Sequence, residues 1–372
     1  MVYLDYCANT PADPLVLERF CETEQRFCGN PNSSHRAGRA AQARLTEVTE
    51  HIAQLLRVQP EEIIYTSGAS EANNLAVKGI ARAGRHVGKH IISTPLEHSS
   101  VSGSLTALQE RGYEIDLVDI RRDGTVDVEQ ITELLRKDTV LVAVCAVDGE
   151  LGTIQPIAQI AERLKAYPNC RFHVDATQAV GKLPVSFAGV DTMSMAAHKF
   201  YGLNGCGILL KRKGIVVEPQ IHGGASTTIY RSGTPTLALA ASMELALERA
   251  LGSLDTHWTQ IQEKNRILRA RFSDYPKVRI NSPDDAIPHI LNLSVSGVRG
   301  TVFQKALDER GVCVSVKSAC SVENLPSRAV YAVSRDRKNA LSSWRISLSH
   351  RTTVEELQQF LAAFDDCYKE LT

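Results

Sequence analysis

The feature that most constrains this chain is a rhythm. A short apolar run, a turn of Gly, Ser or Asp and an amphipathic stretch follow one another from about residue 39 to residue 211. Such alternation predicts helices packed on a mostly parallel sheet, because parallel neighbours need a crossover long enough to hold a helix. The helical period is plainest over 39–58, where Ala41, Leu45, Val48, Ile52 and Leu55/Leu56 recur every three or four residues. Strands are expected at 62–65, 90–93, 114–118, 140–147, 171–175, 192–195 and 207–211. Helices are expected up to Ala83 and over 98–111, 126–136 and 157–166. The run from Val140 to Val147 is apolar throughout, as a strand buried on both faces would be. Two long helices, 237–251 and 254–272, lead into a changed rhythm after Pro276. There strand (290–295), helix (301–310), strand (312–315), loop, strand (343–348) and helix (354–368) predict a smaller α/β unit beginning near residue 255.

Composition excludes several classes. The 42 basic residues cancel the 42 acidic ones, which argues against a basic face for nucleic acid or an acidic tail. The longest apolar run has eight residues, whereas a membrane helix needs about 18 or more. No basic-then-apolar leader opens the sequence, so a soluble, cytoplasmic protein is expected. Nine cysteines, an odd number in a long chain, argue against a disulfide framework. With no C-x-x-C pair among them, no metal site is expected.

Ligands of open α/β sheets sit beyond the carboxyl ends of the strands, so the chemistry is sought there. Lys199 follows the strand at 192–195, and Asp175 ends the strand FHVD 24 residues earlier, with Gln178 in the same turn. A lysine for a Schiff base and an aspartate for a pyridinium nitrogen suit pyridoxal 5'-phosphate; a solvated lysine is the plain alternative. TSGASEAN joins a strand to a helix, and its small residues Ser67, Gly68, Ala69 and Ser70 allow a phosphate to approach the helix N–H groups. An ordinary capping box with Ser67 or Ser70 and Glu71 explains it equally. His98 follows a strand, as a stacking or proton-shuttling imidazole or as a helix-start residue. Cys320 lies in a polar loop near Lys317, as a reactive thiol or a loop cysteine without a role. Arg345, mid-strand, needs either a substrate carboxylate or a structural ion pair.

Taken together, these pieces resemble the cysteine desulfurases of the iron–sulfur assembly type, within the class V aminotransferase group of pyridoxal phosphate enzymes. The likeness is carried by YLDYCANTPADP (3–14), GNPNSSHRAGR (29–39), TSGASEANNLAVKG (66–79), EHSSV (97–101), HVDATQAVGKLP (173–184), HKFYG (198–202), HGG (222–224), RSGT (231–234), SAC (318–320) and RISLS (345–349). HVDATQ with HK 24 residues on is specific for the group, and SAC followed by the arginine strand for the desulfurases.

The resemblance implies the type I fold of these transferases. It places an N-terminal segment (1–14) with the small domain, a large cofactor-binding domain over 15–254 and a small C-terminal domain over 255–372 carrying the Cys320 loop. It also implies roles. Lys199 forms the Schiff base and moves the Cα proton, Asp175 pairs with the ring nitrogen, Gln178 bonds the ring hydroxyl, and His98 stacks on the ring and relays protons. Gly68, Ala69, Ser70 and His198 hold the phosphate, with Thr234 reaching it across a homodimer interface. Arg345 and Asn9 bind substrate. Cys320 takes sulfur from L-cysteine as a persulfide, alanine leaves, and the sulfur passes to an acceptor protein such as an iron–sulfur scaffold.

The chain departs from the family pattern in places. Gly149 stands where an asparagine is usual, Ala196 replaces a phosphate-binding serine, the stretch 225–230 lacks the usual Gln/His-Glu and Gly, and Asn9 replaces a threonine. A lyase or aminotransferase for another amino acid, or a non-catalytic scaffold, are the competing expectations.

Overall fold

The computed structural model describes residues 1–224, 226–317 and 325–372. Along the chain the elements run β1 (Val2–Tyr3), α1 (Pro14–Arg26), α2 (Arg36–Leu56), β2 (Ile63–Thr66), α3 (Ala69–Ala83), β3 (His90–Ser93), α4 (Ser99–Gln109), β4 (Glu114–Leu117), α5 (Val128–Leu134), β5 (Thr139–Cys145), α6 (Ile157–Leu164), β6 (Arg171–Asp175), β7 (Thr192–Ala196) and β8 (Gly207–Lys211). There follow α7 (Leu237–Gly252), α8 (Leu254–Phe272), β9 (Val278–Ile280), β10 (Ile290–Val295), α9 (Gly300–Asp308), β11 (Val312–Cys313), α10 (Arg328–Ser334), α11 (Arg337–Ser342), β12 (Ser343–Ser347) and α12 (Val354–Leu371).

A seven-stranded sheet has the order β2-β8-β7-β6-β5-β3-β4. Only β8 runs against the rest, pairing antiparallel with both neighbours. The expected mostly parallel α/β sheet is therefore the observed one. Side chains along its strands alternate between two apolar layers. Ile63, Ile92, Val142, Val144, Ile208 and Leu210 face the layer built with α2, α5, α6 and α7. Ile64, Ile91, Leu141, Ala143 and Leu209 face the layer built with α3 and α4. All seven residues of β5 are buried, as its unbroken apolar run requires. A third core joins β1, α8, β10, α9, β12 and α12 around the stacked rings of Phe303 and Trp344.

Differences from the sequence reading have local causes. Helix α1 went unread, although Asp13 caps it through Leu15 N and Pro14 opens it. The region read as loop before β12 holds α10 and α11, seven and six residues long and capped by Ser327 and Asp336, too short to establish a period. The capping box at the start of α3 is absent. Gly68 is the N-cap, with φ +149°, and no side chain caps the helix. Glu71 instead accepts from Ser67 N at 2.7 Å and pairs with Arg231 at 2.8 Å. A residue with a Cβ adopts that φ poorly. Close by, a Cβ on Gly207 would lie 2.6 Å from Gly68 Cα, so β8 approaches the β2–α3 turn this closely because residue 207 is glycine.

Candidate active site

Because β2, β3, β5, β6 and β7 point the same way, their carboxyl-end turns meet at one rim. They enclose a cavity of about 340 Å³. Its wall contains Ser67, Gly68, Ala69 and Ser70 after β2, Glu97 and His98 after β3, Asp148 and Gly149 after β5, Asp175 and Gln178 at β6, and His198 and Lys199 after β7. The small sheet adds Arg345 from β12, and α10 adds Arg328.

Lys199 Nζ donates to the carbonyls of Cys7 and Ala8, each at 2.7 Å. Burial, with help from the nearby Lys182 cation, pushes its pKa down to about 8. About a tenth of the amine is therefore uncharged at pH 7, against well under a thousandth for a free lysine, and that is the form that attacks an aldehyde. Asp175 is fixed on both oxygens: Asn73 Nδ2 donates to Oδ2 at 2.7 Å and Thr177 N to Oδ1 at 3.0 Å. Gln178 Nε2 donates to the Cys7 carbonyl at 3.0 Å, and its Oε1 accepts from Lys182 at 2.6 Å. His98 caps α4, its Nδ1 lying 2.8 Å from Ser100 Oγ. Burial lowers the His98 pKa; Asp175 opposes the shift, while Lys199 and Arg328 add to it. His198 is pushed down to about 4, by burial first and then by Lys199 and Lys182. Both imidazoles are therefore neutral at pH 7.

Arg345 is 2 % exposed. Its Nη2 donates to Asp5 Oδ1 at 2.9 Å and its Nη1 to the Gly149 carbonyl at 2.6 Å, while the buried Nε has no partner among the described residues. The residue thus has the structural ion pair, and it also lines the cavity. Asn9 and Thr234 do not line it. Asn9 Nδ2 donates to the Thr10 carbonyl at 3.2 Å, and Thr234 is exposed. Ala196 is fully buried and also outside the wall, whereas a Cβ on Gly149 would meet Gln178 Cγ at an ordinary 3.6 Å. Cys320 lies outside the described residues. On its N-terminal side, Ser315 exchanges backbone bonds with Arg345 and donates its hydroxyl to Asp5 at 2.7 Å.

Three participants went unread in the sequence. Asn73 binds Asp175, Ser100, Ser194 and His173 at once from the buried face of α3; an asparagine beside Ala72, Leu75 and Ala76 in an apolar stripe was the available signal. Glu97 is buried. Its Oε1 accepts from Thr94 Oγ1 at 2.8 Å and Cys145 N at 2.9 Å, and its Oε2 has no partner among the described residues. Burial outweighs those bonds and lifts its pKa to about 8. Arg328, at the start of α10, carried no signal at all.

A strand-end lysine and a doubly held strand-end aspartate in one cavity, beside an uncapped helix start, define an α/β protein built to hold a cofactor at its sheet's rim. The chain belongs to the class-V aminotransferase family, whose pattern matches residues 2–360. It is 37% identical to the cysteine desulfurase IscS of Dictyoglomus turgidum, covering 100% of this chain and 95% of that one. It is 36% identical to a NifS/IcsS protein homolog of Lactobacillus delbrueckii subsp. bulgaricus, over 100% and 98%. Among solved structures it resembles a NifS-like protein, with a TM-score of 0.92 and 32% identity over the whole of both chains. It also resembles SspA in complex with cysteine, with a TM-score of 0.82 and 28% identity over 95% of this chain and 100% of that one.

Proposed function

We propose that this protein is a pyridoxal phosphate-dependent cysteine desulfurase, which converts L-cysteine to L-alanine and carries the sulfur as a persulfide on Cys320. The observation that carries the reading is the meeting of Lys199, Asp175, His98 and the uncapped start of α3 in one cavity.

The donor set fits the cofactor at each end. Gly68 leaves open space where a Cβ would stand, and the first N–H groups of α3 have no side-chain cap. Such a helix start suits a phosphate. Ser70 and His198 stand at the same wall. Asp175, immobilised by Asn73 and Thr177 N, would pair with the ring nitrogen, and Gln178 would bond the ring hydroxyl. Pyridoxal phosphate, when bound, supplies an aldehyde that joins reversibly to an amine and a cationic ring that draws electron density from Cα.

The chain's own residues do the rest. Lys199 would hold the aldehyde and would take and return the substrate's Cα proton at Nζ; its lowered pKa suits both tasks. His98, neutral, stacks and relays a proton. Arg345 orients the substrate carboxylate. The Cys320 thiolate would attack the substrate sulfur, forming the S–S bond as the Cβ–S bond breaks; that bond's electron pair stays with Cβ, which takes up a proton before alanine leaves. A homodimer in which Thr234 reaches the partner's phosphate, a sulfur-acceptor protein such as an iron–sulfur scaffold, a cytoplasmic setting and a division into 1–14, 15–254 and 255–372 complete the proposal. No helix among the described residues is long and apolar enough to cross a membrane.

The test is to incubate the purified, cofactor-loaded protein with L-cysteine and a reductant and to assay alanine and sulfide. Equal release is expected. Cys320→Ala should abolish persulfide and sulfide while keeping the coloured cofactor. A coloured protein that makes neither product would overturn the reading in favour of another amino acid; a protein that takes up no cofactor would favour a scaffold.

A further inference from the structure

Two guanidinium groups line the cavity, and they are not equivalent. Arg345, at its floor, already holds a carboxylate: Asp5 sits on its Nη2, and the Gly149 carbonyl takes its Nη1. Arg328 lines the same cavity while remaining exposed, which puts it at the mouth. Its Nη2 donates to the Glu97 carbonyl at 3.0 Å and to Ser102 Oγ at 3.4 Å. Among the described residues, no acid lies within ion-pair distance of it. Of the cavity's own acids, Glu71 is neutralised by a cation and Glu97 and Asp148 are held toward the uncharged form, while Glu150 and Asp175 are held by uncharged donors. Glu71 is paired with Arg231, and Glu150 accepts from Ser327. Burial lifts Glu97 to about 8 and Asp148 to about 7. Asp175 is committed to Asn73 and the Thr177 amide.

We propose that Arg328 is a specificity-determining residue that captures the substrate's α-carboxylate at the mouth of the cavity, in addition to Arg345 at its floor. The proposal rests on the desulfurase reading and deepens it. Since Asp5 neutralises the charge of Arg345, Arg328 supplies the uncompensated cation that a carboxylate meets on entry. A guanidinium offers two parallel donors to a carboxylate, a match that an ammonium lacks.

The experiment compares L-cysteine with L-cysteine methyl ester, which keeps the amine, the Cα–H and the thiol but masks the carboxylate. Both are given to the cofactor-loaded full chain. Steady-state kinetics are read, together with equilibrium binding followed by the cofactor's absorbance in a Cys320→Ala background. Arg328→Gln should raise KM and Kd for L-cysteine about tenfold, leave kcat within about twofold and leave both constants for the ester unchanged; Arg328→Lys should recover part of the loss. Ser102→Ala, which removes one contact of Arg328 but no charge, should match the wild type. Equal weakening of acid and ester would show that Arg328 merely braces Glu97 and Ser102, and would overturn the proposal, as would no change with either. Absence of alanine from the wild type, with L-cysteine binding still selectively weakened by Arg328→Gln, would sink the desulfurase reading and leave the carboxylate site standing.

Discussion

At Glu97 the chain keeps a carboxyl group where water does not reach it, and the consequence is a pH-dependent stability. The group's pKa rises from about 4.5 to about 8 through burial. Between those values the unfolded chain has released the proton and the folded chain retains it, so stability falls as pH rises through this window and levels off above it. Glu97→Gln keeps a carbonyl oxygen for Thr94 and Cys145 N while removing the titration. The variant should lie close to the wild type near pH 5 and exceed it by on the order of 3–4 kcal/mol at pH 8, since nearly three pH units fall inside the window and each is worth about 1.36 kcal/mol; urea unfolding at the two pH values measures this. Lys199 behaves oppositely. Its buried amine is disfavoured as a cation, so cofactor-free Lys199→Met should melt higher than the wild type at pH 7, by roughly 1 °C for each kcal/mol relieved in a chain of this length. That gap should narrow as pH climbs from about 8 toward 10.5 and the unfolded lysine loses its charge too. The positions of Lys199, Asp175, Gln178 and His98 in one cavity could be read from the sequence because each stands at a strand end. Glu97 could not: a buried acid and a solvated acid are written with the same letter, and only the Thr94 hydroxyl, the Cys145 amide and the empty side of Oε2 tell them apart.

Among the elements, α9 and β12 are held by a contact that depends on one missing side chain. A Cβ on Gly300, the first residue of α9, would lie 2.1 Å from the carbonyl oxygen of Ser343, where β12 begins. No real pair of atoms tolerates that distance, and the obstacle is backbone. Gly300→Ala should therefore move α9 away from β12 at a cost of about 1–3 kcal/mol. It should also raise KM, because Arg345 sits two residues into the displaced strand; thermal melts and kinetics on the same preparation check both. The periodic helices and apolar strands between 39 and 211 were legible to within a few residues, since amphipathic spacing is a local property. The short helices α10 and α11 were not. Their stability comes from caps at Ser327 and Asp336 and from packing, which no period of six or seven residues reveals.

For the molecule as a whole, the opening ten residues act as a strap between sheets. Val2 and Tyr3 pair with β11, Asp5 binds Ser315 and Arg345, and Cys7 N donates to Ser347 Oγ at 2.9 Å. Further along, the carbonyls of Cys7 and Ala8 hold Lys199, and Thr10 donates to the His198 carbonyl at 2.8 Å. Asp5→Ala leaves the Arg345 guanidinium buried without its acid, a loss that typically costs 3–5 kcal/mol; Asp5→Asn, which keeps an acceptor, should lose less. Denaturant unfolding and cofactor affinity should fall together in both variants. The α/β class and its mostly parallel sheet followed from the rhythm of the chain. That residue 5 meets residue 345 did not, because a pairing across 340 positions leaves no trace in any local pattern.

That strap also sets a timetable. The cavity wall draws on Cys7 and Arg345 alike, so a chain emerging from the ribosome has most of its sheet before it has a finished pocket. A closed pocket thus waits until translation has passed residue 345, and fragments abandoned earlier are born without its floor.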